Sequence, residues 1–116
     1  MPSTTTYKQG DVVLVSFPFT DLTSAKKRPA LVISPDLFNR LNEDLILVAI
    51  TSQVTAEESG FLLEHTDLVG GGLPRKSMIK LTKMFTIHST LVQRKLCSLK
   101  PEKLAEVLQQ IRKFFS

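Results

Sequence analysis

Short apolar runs separated by polar segments make up most of the chain. The runs at 11–17, 30–34 and 45–50 are continuous rather than alternating. A continuous apolar run of this length is typical of a strand that is buried on both faces. The pattern predicts further short strands at 61–64, 78–82, 83–87 and 90–98, with a bend between 82 and 83, and one helical turn within 35–42.

The hydrophobic period changes after Pro101. Leu104, Val107, Leu108 and Ile111 follow at spacings of three and four residues, which places their side chains on one face of an α-helix. Proline suits the first position of such a helix because its missing N–H is not needed there. The sequence therefore predicts a mainly β domain, a small barrel or roll, with a C-terminal helix packed against one face.

Composition places this domain in a broad class. The polar segment 1–8 predicts a flexible N-terminal leader, and 9–116 is expected to form a single domain. The lone Cys97 excludes a disulfide within the chain and favours a reducing compartment. The longest purely apolar run, 45–50, is too short to span a bilayer. We therefore expect a cytoplasmic protein without a membrane segment.

Charge is distributed unevenly along the chain, whose net charge is +4. The segment 36–67 contains seven acidic residues and one basic residue, whereas 68–100 contains seven basic residues and no acidic one. A segment of one sign is a candidate binding surface for a polyanion. The alternative is an ordinary solvated face whose charges are balanced by neighbours in space, and the sequence leaves both interpretations open.

No pattern in the sequence predicts a metal or another cofactor. His65 and His88 are isolated, Cys97 has no partner, and the carboxylate pairs at 43–44 and 57–58 lie in polar segments. Metal sites in proteins usually show ligands at short, regular spacings. The three glycines at 70–72 lack the Gly-Lys-Ser/Thr ending of a phosphate-binding loop, so we expect them to form part of a flexible loop.

Candidate functional groups lie at two predicted strand ends. Lys26, Lys27 and Arg28 precede one strand, and the triplet 51–53 follows another. The planar fork of Arg28 can bind a phosphate through two parallel hydrogen bonds, which a lysine cannot do. The hydroxyl of Thr51 can donate to a phosphate oxygen. The alternative for these residues is a structural role, as a surface arginine in a salt bridge and a capping threonine.

Several segments of the chain resemble, in order and spacing, the motifs of the MazF/PemK family of toxins. They are 10–15 with Phe17, 27–34 and 49–53, followed by 77–87, and the resemblance covers about 8–115. It implies an SH3-like small barrel of the MazF/PemK/CcdB type that forms a homodimer. It also implies metal-independent cleavage of single-stranded RNA at short sequences, and a cognate antitoxin with an acidic tail that would bind the basic segment.

The resemblance also assigns roles to residues. Arg28 would stabilise the transition state, and perform acid–base chemistry, while Thr51 would hold the phosphate or orient the attacking 2′-hydroxyl. The substrate-binding residues would be Lys26, Lys27, Ser52, Gln53, Lys80 and Thr82. The chain departs from the family pattern twice. Thr82 stands where some relatives carry an aspartate, and 23–27 replaces a Gly-Ser-Glu-Gln-like loop.

Two other functions remain open on the sequence. A non-catalytic toxin of similar fold could bind DNA gyrase, although this chain has no tryptophan and ends in Phe115 and Ser116, unlike the Trp-Gly-Ile-type tail of gyrase poisons. A plain nucleic-acid-binding barrel would need aromatic stacking platforms. The chain has seven phenylalanines and one tyrosine, and we expect most of these to lie in the core.

Overall fold

The computed structural model describes residues 6–17, 26–56 and 60–116. It confirms a mainly β chain with a C-terminal helix. Among the described residues, no helix is long and apolar enough to cross a membrane. The elements are β1 (Asp11–Phe17), β2 (Lys26–Val32), α1 (Asp36–Leu41), β3 (Asp44–Thr51), β4 (Gly60–Leu63), β5 (Leu68–Val69), β6 (Ser77–His88), β7 (Val92–Leu99) and α2 (Pro101–Phe114), with single 3₁₀ turns at His65–Asp67 and Ser89–Leu91.

The strands form one antiparallel sheet in the order β4-β6-β3-β2-β1-β7-β5. Strands β6 and β7 follow each other in sequence, but three strands lie between them in the sheet. In a flat sheet they would be about 19 Å apart, whereas the link from His88 to Val92 reaches at most about 14 Å. The sheet is therefore curled into a half-barrel, which is how the small barrel expected from the sequence is realised.

Both faces of the central strands are buried, as the continuous apolar runs predict. On one face Val12, Leu31 and Val48 belong to a cluster that also contains Val107 of α2. On the other face Val13 and its neighbours form a second cluster. Successive side chains of a strand point to opposite faces, so a strand that contributes to both clusters must be apolar at every position.

Strand β2 begins earlier than the sequence predicts. The predicted strand starts at Ala30, but β2 already pairs with β1 from Lys26, which lies opposite Phe17. Pro29 therefore sits inside the strand rather than before it. This is tolerated because β3 joins β2 only from Ala30 onward, so that β2 is an edge on that side at Pro29.

The packed part of the chain extends back into the segment that the sequence assigns to a flexible leader. Residues 1–5 lie outside the described residues. Tyr7 packs half-buried against the second cluster, and its carbonyl accepts a hydrogen bond from Asn39 Nδ2 at 3.1 Å. Burial, with the nearby negative charge of Asp11, raises the pKa of Tyr7. The Lys8 N–H donates to Asp11 Oδ2 at 2.9 Å.

The three glycines at 70–72 directly follow a 3₁₀ turn and the short strand β5. Gly71 has φ +145°, and a Cβ atom there would lie 2.1 Å from the carbonyl oxygen of Leu96 in β7. Only glycine fits this close approach of two backbones.

This geometry predicts different costs for two neighbouring substitutions. Gly70 has φ +74° and no heavy atom within 4 Å of a Cβ position, so Gly70→Ala should cost about 1–2 kcal/mol of unfolding free energy from backbone strain. Gly71→Ala should cost more than about 3 kcal/mol, since strain and a steric overlap with Leu96 act together. Urea denaturation of both variants measures the difference, and equal losses would contradict the close approach.

Candidate functional site

Strands β2 and β3 separate at one end of the sheet. Their ladder runs from Val32 opposite Leu47 to Ala30 opposite Ala49 and stops there. If it continued in the same register, Arg28 would lie opposite Thr51. Residues that face each other across a ladder point to the same side of the sheet. The Arg28 and Thr51 side chains therefore leave the sheet on one face, where the two strands part.

A groove of about 340 Å³ lies at this separation. Ala49 lies among its lining residues, and its methyl group leaves the space that a longer side chain would fill. Strands β2, β3 and β6 contribute the walls. The lining residues are Arg28, Ala49, Ile50, Thr51, Lys80, Lys83 and Phe85.

A bulge in β6 brings two lysines to the groove. Lys80 lies opposite Ala49, but the next residue of β3, Val48, lies opposite Met84. The three residues 81–83 therefore have no partner in β3. A bulge of this kind bends the strand and redirects its side chains. The bend that the sequence predicts between 82 and 83 falls within it, and Lys80 and Lys83 both line the groove.

The structure brings together three of the residues that the sequence singled out. Arg28, Thr51 and Lys80 line the same groove. Thr82 is exposed within the bulge and is not among the lining residues. The remaining candidates are exposed outside the groove, on β2 or just beyond the end of β3, and are Lys26, Lys27, Ser52 and Gln53.

The sequence did not single out Lys83 or Phe85. The predicted bend was a signal that something irregular occurs in this strand. It could not show which side chains face the groove, because a bulge breaks the alternation from which sequence reasoning assigns the two faces.

The hydroxyl of Thr51 is held in place by the chain that follows it. Thr51 Oγ1 accepts a hydrogen bond from the Gln53 N–H at 3.1 Å, and the residue is half-buried. A threonine hydroxyl has two acceptor positions and one proton. This bond uses an acceptor position, so the proton remains to be donated toward a ligand in the groove.

The groove is cationic. Arg28, Lys80 and Lys83 line it, and none of the described lining residues carries a carboxylate. Among residues 6–17, 26–56 and 60–116, no ion pair involves Arg28 or Lys83. Several cations around a concave surface raise its positive potential and attract anions.

The lysines of the basic segment 68–100 have different surroundings in the folded chain. Lys95 pairs with Asp11 at 3.2 Å, and Lys76 pairs with Glu64 at 3.4 Å. These lysines are balanced by acidic residues from elsewhere in the chain. Lys80 and Lys83 line the groove. The interpretation as balanced surface charge therefore holds for Lys76 and Lys95, and the binding of a polyanion by the rest of the segment stays a prediction.

The structure shows no arrangement for a metal in the part of the chain it describes. No group of three or more His, Cys, Asp or Glu side chains there could hold an ion. Burial raises the pKa of the Cys97 thiol, which is fully enclosed in the core. His88 lies 3.6 Å from Glu43, at the end of β3 opposite to Thr51.

Comparisons with known proteins agree with this architecture and with the resemblance. The model of a family described as PemK-like, MazF-like toxins of type II toxin–antitoxin systems matches residues 8–115. A search of curated proteins finds no match.

Similar folds occur among solved structures. One is a MazE–MazF structure from Deinococcus radiodurans (form III), with a TM-score of 0.76, 19% identity, and 96% of this chain and 97% of that chain covered. Another is a mycobacterial endoribonuclease in complex with its cognate antitoxin, with a TM-score of 0.74, 14% identity, and 95% and 93% covered. The Mycobacterium tuberculosis toxin MazF-mt6 has a TM-score of 0.73 at 15% identity, with 90% and 95% covered. At these identities the likeness establishes the fold.

The anchoring of Thr51 can be tested without a ligand. Thr51→Val keeps the shape of the side chain but leaves the Gln53 N–H without its acceptor, so the unfolding free energy should fall by about 0.5–1.5 kcal/mol. The Gln53 amide should also exchange its hydrogen faster. Thr51→Ser keeps the oxygen and should retain the protection. NMR-detected hydrogen exchange measures this, and equal exchange in both variants would contradict the bond.

Proposed function

This chain belongs to the family of PemK-like, MazF-like toxins of type II toxin–antitoxin systems, and we propose that it acts by cutting single-stranded RNA at short sequences. The supporting observation is the convergence of Arg28, Thr51 and Lys80, from three strands, on one cationic groove. Endoribonucleases are among the proteins of similar fold. A polyanionic, unpaired strand is the ligand class that suits such a groove.

In the proposed reaction, the 2′-hydroxyl of the RNA attacks the adjacent phosphorus. The new bond joins the 2′-oxygen to phosphorus, and the bond from phosphorus to the 5′-oxygen breaks. The products are a cyclic phosphate and a 5′-hydroxyl end. A crowded phosphorane with two negative charges forms on the way, so the main demand on the protein is charge stabilisation.

Arg28 and Thr51 meet this demand in different ways. The Arg28 guanidinium donates two parallel hydrogen bonds to the non-bridging oxygens, which gain charge in the transition state. Thr51 donates its hydroxyl proton to the phosphate or orients the 2′-hydroxyl, while the Gln53 N–H keeps its oxygen in place.

Proton transfer falls to the remaining groups. An arginine keeps its proton at all ordinary pH values, so Arg28 is a poor acid or base. We assign protonation of the leaving 5′-oxygen to a lysine ammonium of the groove, Lys80 or Lys83, and removal of the 2′-hydroxyl proton to water. Thr82 does not replace the missing carboxylate, because it does not line the groove.

An RNA cleavage assay in EDTA tests the proposal. The wild-type protein should cut a long single-stranded RNA at defined sequences and leave 5′-hydroxyl ends that a polynucleotide kinase labels directly. Arg28→Ala should cut about 10²–10³-fold more slowly, the typical effect of removing one donor to a transition-state oxyanion.

Arg112→Ala is the matched control. It removes the same guanidinium from the exposed surface of α2, outside the groove, and should cut at nearly the wild-type rate. Absence of cutting by the wild type, or undiminished cutting by Arg28→Ala, would overturn the proposal. A gyrase cleavage assay with the wild-type protein tests the alternative of a gyrase-binding toxin.

We also propose that a cognate antitoxin inhibits the protein by placing an acidic segment in the same groove, and that the protein is a homodimer. The mycobacterial endoribonuclease of similar fold is bound to its antitoxin. A carboxylate-rich peptide meets the same three cations as a phosphate chain does. Light scattering in solution tests the dimer, and a monomer mass would exclude it.

The shared groove predicts competition. A glutamate-rich peptide should inhibit RNA binding, and Lys83→Ala should weaken the binding of both ligands. Lys76→Ala removes a lysine that already pairs with Glu64 at the exposed surface, so it should change neither affinity appreciably. Fluorescence anisotropy with labelled RNA and labelled peptide measures both. Simultaneous binding of the two ligands would rule out a common groove.

A further inference from the structure

One lining residue has no role in the reaction proposed above. Phe85 contributes its aromatic ring to a groove that is otherwise cationic, hydroxyl-bearing or aliphatic. The ring is half-buried and packs partly against the second core cluster. Phe85 therefore lies at the boundary between the core and the cationic groove.

The bulge in β6 puts Phe85 in this place. Phe85 lies opposite Leu47. If β6 continued past Lys80 in the register that places it opposite Ala49, the partner of Leu47 would be Thr82. Because residues 81–83 have no partner in β3, the position opposite Leu47 is occupied by Phe85 and not by Thr82.

The spacing along the sheet suits one nucleotide. Leu47 and Ala49 lie two residues apart on one face of β3, which corresponds to about 7 Å. Phe85 and Lys80, their partners in β6, are therefore neighbours along the groove. A nucleotide carries its base one sugar away from its phosphate. A phosphate held by the cations would thus place the attached base at the Phe85 ring.

We propose that Phe85 is the stacking platform for one unpaired base of the bound RNA, and thereby sets the register of the strand in the groove. This inference rests on the proposed function. Bases exposed in single strands stack on aromatic side chains, and every base offers a flat face for this contact. Stacking on Phe85 fixes the strand along the groove, and this decides which phosphate reaches Arg28 and Thr51.

Binding to an uncleavable strand tests the platform apart from the reaction. A single-stranded oligonucleotide with 2′-fluoro groups lacks the attacking hydroxyl but keeps bases and phosphates. Phe85→Leu should weaken its binding by about 5- to 150-fold, the range for loss of one stacked base. Ile87→Ala is the control, since Ile87 packs against the same core cluster but does not line the groove.

An abasic scan of the oligonucleotide identifies the stacked base. With the wild-type protein, removal of one particular base should weaken binding by a similar factor. With Phe85→Leu, removal of that base should cause little further loss, because the two changes remove the same contact. Independent, additive losses at every position would overturn the proposal, even if RNA cleavage is confirmed.

A fluorescent variant gives a direct readout. The chain contains no tryptophan, so Phe85→Trp introduces a single indole at the platform. This variant should bind at least as tightly as the wild type, and its fluorescence should be quenched by the intact oligonucleotide but not by the abasic one. Equal losses of affinity in Phe85→Leu and Ile87→Ala would indicate a core role only. Phe85-dependent binding without RNA cleavage would overturn the proposed reaction but not the platform.

Discussion

Strand β6 pairs with β3 on both sides of its bulge, over 78–80 and 84–88, and with β4 over its first four residues. The sheet must curl, because the link from His88 to Val92 is too short to join β6 to β7 across a flat sheet. The bulge at 81–83 bends β6 just after its pairing with β4 ends. Leu81 turns into the first core cluster and is 4% exposed. The hydrogen bonds lost from the ladder are thus accompanied by burial of an apolar side chain.

The groove depends on the same irregularity. The departure of β2 from β3 opens a space above Ala49, and the bulge supplies Lys83 and Phe85 to its wall. Apolar packing on both faces of the sheet holds these strands in position, so the charged side chains are carried by a rigid base. Cations held close together repel one another while the groove is empty. A bound polyanion relieves this repulsion, which favours anionic ligands.

The proposed use of one surface for both RNA and antitoxin has a simple physical basis. Phosphate and carboxylate groups accept hydrogen bonds from the same guanidinium and ammonium donors. What distinguishes the two ligands is the base, since an acidic peptide has no flat aromatic face for the Phe85 ring. In our proposals, charge therefore attracts both ligands to the groove, and stacking gives RNA its register.

Much of this protein follows from local patterns in its sequence. The continuous apolar runs indicate strands buried on both faces, because side chains alternate along a strand, and the spacing after Pro101 indicates α2. The predicted strand ends also single out Arg28 and Thr51, since functional groups at strand termini project from a fixed base. That the two share one face follows only from the register of β2 with β3.

Only the tertiary structure decides which residues of β6 join these two. Register depends on pairing between distant segments, and a bulge inverts the faces of all residues beyond it. Thr82 is therefore left outside the groove, while Lys83 and Phe85 line it. Folding also gives the lysines of the continuous basic segment different surroundings. Lys95 pairs with Asp11, and Lys80 lines the groove. The order of charges along the sequence does not show which of them lie close together, because this depends on how the chain folds.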